Sequence, residues 1–317
     1  MQTTNALQGV RPAKRSGIGK LARREELAFW LFISPWLIGF LAFTGGPILA
    51  SFGISFTEYS ILSPPQLIGV QNYQQLLKDD LFYKSVLNTL YYVGVGVPLG
   101  LALAFLMAIA LNQKLRGQTW FRTIFYLPSV VSGIAVALLW GWLLNSDYGL
   151  INYLLSLVGI KGPPWLFSTT WSMPAIILMS LWGVGGSMVV FLAGLQGIPE
   201  HLYEAAEIDG AGEWSKFWNV TIPMVSPVIF FNLIVTIIGA FQIFDQVYIM
   251  TGGKGGPANA TLVYVLYLYR NGFEFFKMGY ASALAVVLFL IILGVTVVQF
   301  AVARRWVYYE GGEAGSK

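Results

Sequence analysis

Ile198-Pro199-Glu200-His201-Leu202-Tyr203-Glu204-Ala205-Ala206-Glu207-Ile208-Asp209-Gly210-Ala211 is a short polar stretch between two long apolar runs. With Glu213 it carries five of the chain's fifteen acids, and it holds the single histidine. Pro199 suits the first position of a helix, where its missing N–H is unpaired anyway. Glu200 and Glu204 fall in or near the first turn, where carboxylates complement the helix dipole. Gly210 is placed to end the helix. The expectation is a helix of about three turns with Leu202, Ala205, Ala206 and Asp209 on one small, flat face. So short a helix is marginal alone in water, so it should dock against another surface. The plain alternative is a solvated loop, since most charged loops simply face water.

Composition defines the frame around this stretch. Of 317 residues, 56% are hydrophobic and 11% charged, against about 25% charged in soluble domains. The class is an all-α polytopic membrane protein. There is no cysteine, which excludes disulfides, thiolate catalysis and cysteine–metal sites, and one histidine provides no cluster for a metal. The net charge of +4 comes from bases scattered singly among apolar runs, which does not fit nucleic acid as a partner. No Gly-x-x-x-x-Gly-Lys-[Ser/Thr] run occurs: Lys20 precedes Leu21 and Lys254 precedes Gly255. The chain therefore has no nucleotide site of this kind, and His201 alone supports no catalytic triad, so no enzyme and no bound cofactor are expected.

Six apolar runs each exceed the roughly 20 residues that cross a bilayer core. They cover 27–56, 85–112, 121–144, 171–196, 221–250 and 279–303. Residues 1–26 read as a basic polar tail, 57–84 as an external segment with a short helix near 70–78, 197–220 as the polar loop already described, and 304–317 as a second tail. Gly45-Gly46-Pro47 interrupts the first run, and Gly96-x-x-x-Gly100 permits close packing in the second. Thirteen bases lie on the side of the termini and the 197–220 loop, and six on the other. The heavier side is cytoplasmic, which puts both termini and that loop inside.

Asp245 is the one ionisable residue that this reading places within a span, near the external end of the fifth. An acid there is a functional candidate, or an interfacial group that orders the following loop. Asn232, Thr236, Gly239 and Gln246 share roughly one face of the same span, with Gln242 beside them. Such a polar stripe faces protein or a water path rather than lipid. It serves a substrate pathway or helix–helix hydrogen bonding. Ser129, Ser132 and Gly133 in the third span form a weaker polar set.

Glu204-Ala205-Ala206-x-x-Asp209-Gly210-Ala211, followed by Phe217, Ile222, Pro223 and Pro227, resembles the "EAA" motif of ABC importer membrane subunits. Thr251-Gly252-Gly253-Lys254-Gly255-Gly256-Pro257, with Asn259-Ala260-Thr261 and Tyr269-Arg270-Asn271-Gly272-Phe273, is similar to the external loop of carbohydrate-type permeases related to the maltose and glycerol-phosphate transporters. Lys254 departs from a run that is often uncharged. The resemblance extends from about Leu67 onward. It implies a type I ABC importer transmembrane fold of six helices in a bacterial or archaeal inner membrane, with 85–303 as the permease core. It makes the 198–211 helix the coupling helix, with Glu204, Ala205, Ala206, Asp209 and Gly210 seated in a cleft of a partner ATPase. The implied partners are a second, homologous permease, two P-loop ATPase subunits that use ATP and magnesium, and an extracytoplasmic solute-binding protein. The implied cargo is a sugar or sugar-like solute. The competing reading is a secondary transporter or channel that acts without an ATPase.

Overall fold

The computed structural model describes residues 20–113 and 116–308. Lys114, the tail bearing Arg11, Lys14 and Arg15, and the end bearing Lys317 lie outside the described residues. The chain divides into two compact units, Met1–Gly53 and Ile54–Lys317.

The first unit is helical throughout its described part, and its apolar stretch is helix α1 (Ala22–Ile54). The expected interruption at Gly45-Gly46-Pro47 is a widening, not a break. The turn Leu41–Gly45 is π-helical and the helix then continues. Two π turns of the second unit, Tyr92–Gly96 and Phe217–Thr221, stand before Pro98 and Pro223 just as Leu41–Gly45 stands before Pro47. Proline lacks the N–H, and its ring crowds the carbonyl four residues back. Those carbonyls belong to Phe43, Gly94 and Asn219, all within the widened turns. One wide turn absorbs the crowding and leaves the rest of the helix intact.

The second unit corrects the all-helical expectation at its start. Strands β1 (Thr57–Ser60) and β2 (Ser63–Leu67) form an antiparallel hairpin. Its proline-rich second strand is exposed along its length, and prolines are tolerated on edge strands. The short helix α2 (Gln71–Leu76) follows, then α3 (Asp80–Asn112). The third span is not one rod: α4 (Gln118–Val130) and α5 (Gly133–Leu143) meet at 97°. After the surface helix α6 (Leu150–Leu157), α7 (Ser172–Trp182) and α8 (Gly185–Gln196) meet at 47°. The polar stretch forms α9 (Glu200–Ile208). The fifth span ends earlier than expected. Helix α10 (Glu213–Phe241) stops at Phe241, and after a three-residue break α11 (Asp245–Thr251) is a separate short helix. Helices α12 (Tyr264–Tyr269) and α13 (Met278–Ala303) complete the unit. Among the described residues four helices, α1, α3, α10 and α13, are long and apolar enough to cross a bilayer, or up to six if each bent pair is one span.

Two clusters form the core. The smaller joins α3, α8 and α10 through Ala104, Ala108, Met188, Phe191, Leu192 and Val225. The tight approach here uses Ala104 and Ala108, both fully buried, and Gly194, where a β-carbon would lie 2.8 Å from the Val228 side chain. Gly96 and Gly100 have ordinary clearances of 3.6 Å or more, so they are not the close contact their spacing advertises. The larger cluster packs α5, α7, α11, α12 and α13 around Ile176, Val247, Leu262, Tyr264 and Leu284. It is stitched to α3 by side chains that satisfy loop backbone. Asn88 donates to the carbonyls of Asn259 and Leu262, and the Thr89 hydroxyl accepts from the Tyr264 N–H.

Asp79 joins three elements. One carboxylate oxygen caps α3 by accepting from the N–H groups of Leu81 and Phe82 at 3.0 and 3.4 Å. The other accepts from the hydroxyl of Tyr280 at 2.6 Å and from that of Tyr267. Burial pushes the carboxyl up, but these four donors outweigh it and hold Asp79 below the ordinary carboxylate range. Tyr267 is pushed up to about 12, first by burial and then by its bond to Asp79. A depressed carboxylate stabilises the fold above its unfolded pKa, and that contribution is lost as pH falls through the folded one. Asp79→Asn should therefore lower thermal stability in detergent at pH 7. The gap from wild type should narrow as pH falls below the ordinary value of about 3.9. A gap that stays constant from pH 7 to the acid limit would remove the charge of Asp79 from this account.

Candidate functional site

Two regions carry the residues singled out in the sequence. The first is α9. Pro199 does not open the helix: it sits one residue before, with extended backbone, and Glu200 is the first helical residue. The end is as expected. Gly210 has φ +77°, and its N–H donates to the Glu207 carbonyl while that of Ala211 donates to Ala206, both at 2.9 Å. This paired closure requires a left-handed residue, which glycine adopts without strain.

The exposed face is not the one the spacing suggested. Leu202, Tyr203 and Ala206 turn toward the chain's own core and are half-buried. His201, Glu204, Ala205 and Ile208 form the outward stripe at i, i+3, i+4 and i+7, with Ile208 87% exposed. Of the five motif residues, Glu204, Ala205, Asp209 and Gly210 are exposed and Ala206 is not fully so. The helix is therefore rotated by about one residue position relative to the expected Leu202–Ala205–Ala206–Asp209 face.

Helix α9 is tied to the foot of α10. The Lys216 ammonium donates to Glu207 at 2.7 Å and pairs with Glu213 at 2.5 Å, while the residue is only 8% exposed. The hydroxyls of Tyr203 and Thr221 are hydrogen-bonded at 3.0 Å. Sequence reasoning used Lys216 only as a charge in the loop. Its signal was position: the one base among five acids, at the start of a span.

The second region is a cavity of about 560 Å³ at the break after α10. Thr236, Gln242, Asp245 and Gln246 all line it, with Gly239. Asn232 does not: it is buried, and its amide bonds back to the Val228 carbonyl at 3.0 Å. Asp245 is not on the long helix of the fifth apolar run, as hydropathy suggested, but is the first residue of the separate short helix α11. Gln246 likewise lies on α11, not on the helix that bears Thr236. The break, rather than one continuous stripe, gathers these groups. Sequence reasoning missed Tyr92, Ser180 and Ser187 on the opposite walls. A signal was present for the first, since Tyr92, Gly96 and Gly100 recur every four residues and all line the cavity. Of the weaker set, Gly133 adjoins this wall: a β-carbon there would lie 3.4 Å from the Gln246 amide nitrogen.

Residues 96–308 match the family described as the binding-protein-dependent transport system inner membrane component. The chain belongs to this family. Among its relatives, the probable ABC transporter permease protein YesP of Bacillus subtilis is 42% identical over 92% of this chain and 95% of its own. The lactose transport system permease protein LacF of Rhizobium radiobacter is 37% identical over 90% and 97%. A solved bacterial ABC transporter, involved in import of the acidic polysaccharide alginate, contains a chain that superposes with a TM-score of 0.78 at 25% identity. It covers 90% of this chain and 98% of that one. The protein is thus a permease subunit, an inner-membrane transport component of an ABC importer rather than an enzyme. A secondary transporter or channel acting alone finds no support in these matches.

The geometry separates two substitutions that look alike in sequence. Ala205→Trp places bulk on the exposed stripe. It should leave the permease folded while weakening whatever docks there, as read by thermal stability and by co-purification of the ATPase. Ala206→Trp forces bulk toward the chain's own core and should cost stability itself, about 1–3 kcal/mol. Gly210→Ala strains a left-handed position by about 1–2 kcal/mol, and Gly210→Pro, which cannot adopt that φ, should abolish uptake. Equal stability of the two tryptophan variants would refute the assigned rotation of α9.

Proposed function

We propose that this permease imports a sugar or oligosaccharide by alternating access, driven by an ATPase that binds the exposed stripe of α9. The observation that carries the sugar class is the likeness, over nine-tenths of the chain, to a permease named for lactose. A trehalose/maltose permease protein, MalF of Thermococcus litoralis, points the same way at 33% identity over 90% of this chain and 96% of its own. The assembly would hold this chain, a homologous second permease, two P-loop ATPase subunits with ATP and magnesium, and an extracytoplasmic solute-binding protein. Each bent pair counts as one span, which makes six. The thirteen-to-six distribution of bases supports cytoplasmic termini and a cytoplasmic α9.

Glu204, Ala205, Ala206, Asp209 and Gly210 form the coupling element in this reading. The first two meet the ATPase, Ala206 seats the helix on its own chain, and Asp209 and Gly210 end it. Thr236, Gln242, Asp245 and Gln246 offer hydroxyl, amide and carboxylate partners to a hydroxyl-rich solute in the pathway, and Asn232 serves helix structure instead. The tie between the two regions is mechanical. Lys216 clamps α9 to α10, whose 29 residues span about 40 Å and end at the break that lines the cavity. A displacement of α9 thus reaches the pathway through one helix.

Reconstituted with its partners, the permease should take up labelled lactose, maltotriose or arabinotriose only with ATP and the binding protein present. Uptake by this chain alone, without ATP, would overturn the reading. Lys216→Met should lower uptake about tenfold or more while the ATPase still co-purifies, and Lys216→Arg should retain most of it. A Lys216→Met complex that transports normally would show that the clamp is dispensable.

A further inference from the structure

A second polar hollow lies at the far end of α3. Helix α3 begins beside it at Asp80 and Leu81, passes the central cavity at Tyr92, and ends at Asn112, which adjoins Tyr203 and Lys216. The hollow is thus at the opposite end of α3 from α9, and Asp80 precedes Tyr92 by about 18 Å of helix. It consists of two adjoining cavities of about 840 and 350 Å³ that share Gln71, Gln75, Lys277 and Tyr280. Together they form a cleft between α2 and the turn that leads into α13.

The floor of this cleft is fixed and its rim is free. Below, Asp79 holds the hydroxyls of Tyr267 and Tyr280, and the Asn271 amide donates to the Tyr267 carbonyl at 2.9 Å. On one side Asn72 donates to the carbonyls of Ser55 and Thr57, which pins the hairpin against α2. On the rim, the side chains of Gln71, Gln74, Gln75, Lys78 and Lys277 form no hydrogen bond or ion pair among the described residues. Beside them Phe275 and Phe276 are 50% and 46% exposed. Phe276 has φ +56°, a left-handed conformation rare for a bulky side chain. Such strain persists where the surroundings impose it, commonly at binding sites.

The chemistry of this lining is specific in kind. Lys78 and Lys277 stand against Glu58, Asp79 and Asp80, so the cleft does not select an ion by net charge. Planar amides that both donate and accept suit vicinal hydroxyls, and aromatic faces suit the C–H faces of a pyranose. The volumes fall in the range of small-ligand pockets, about 300–1,000 Å³. Among the lining residues Leu81 and Ile68 are the only aliphatic ones, unlike the apolar centre of a protein–protein contact.

We propose that this cleft is a carbohydrate-binding subsite at the extracytoplasmic mouth of the permease, where sugar is held before it enters the central cavity. The inference rests on the sugar-importer reading above and extends it to residues outside the central pathway.

The chain has no cysteine, so a single introduced thiol reports on one position. Gln75→Cys and Lys277→Cys permeases, assembled in the full complex, are treated with a methanethiosulfonate reagent. The added probe is whichever of lactose, maltotriose or arabinotriose the wild-type complex takes up. At saturating sugar, labelling at both positions should slow about tenfold without the binding protein present, while a control at Lys161→Cys is unaffected. Gln75→Leu should raise the half-saturating sugar concentration for uptake about fivefold with the ATPase activity evoked by the binding protein unchanged. Labelling that is insensitive to a transported sugar would overturn the subsite and leave the importer reading intact. Protection by sugar-free binding protein alone would overturn it in favour of a docking slot. Failure to take up any of the three sugars would strike at the sugar class proposed above, and the subsite would fall with it.

Discussion

A backbone N–H or C=O inside a bilayer has no water to bond, so every interruption of a spanning helix must be satisfied by the protein or lie against a water-filled space. That constraint accounts for the three prolines that follow π turns. Pro47, Pro98 and Pro223 each remove a donor from a long helix, and each helix responds by widening one turn rather than breaking. Several buried polar side chains are in turn satisfied by backbone carbonyls. Asn88 and Tyr264 bond to carbonyls of other segments, at Asn259 and Leu262 and at Leu284 respectively. Asn232 and Asn271 bond to carbonyls one turn back.

Where the backbone does break, polar side chains gather. Residues 242–244 separate α10 from α11 and line the central cavity, where Gln242, Asp245 and Gln246 meet. The bends between α4 and α5 and between α7 and α8 bring Gly133 and Ser180 toward the same region. The permease thus combines long helices with a small number of irregular joints, and its two candidate sites sit at the two ends of α10.

The glycine-rich loop between α11 and α12 shows the same economy in another form. Gly252, Gly253, Gly255 and Gly256 all have positive φ. At Gly256 a β-carbon would come within 2.7 Å of the Thr261 hydroxyl. The loop folds back on itself too tightly for side chains, and Asn88 on α3 holds its end.

Much of this was legible in order of residues alone. Hydropathy over tens of residues determined the class and the approximate spans, because burial in lipid demands length. The spacing Glu204-Ala205-Ala206-x-x-Asp209-Gly210 determined a helix ended by glycine, because capping is local. What the sequence could not carry was direction and distance. The hydropathy of 221–250 is continuous, so the stop at Phe241 was invisible, and Asp245 read as part of a span. The stripe Leu202–Ala205–Ala206–Asp209 was drawn on an isolated helix. Only the bonds of Lys216 to Glu207 and of Tyr203 to Thr221 decide which side faces the chain. Asp79 meets Tyr267 and Tyr280 across about two hundred residues. No local pattern announces such a junction, because its energy comes from groups that only the folded chain brings together.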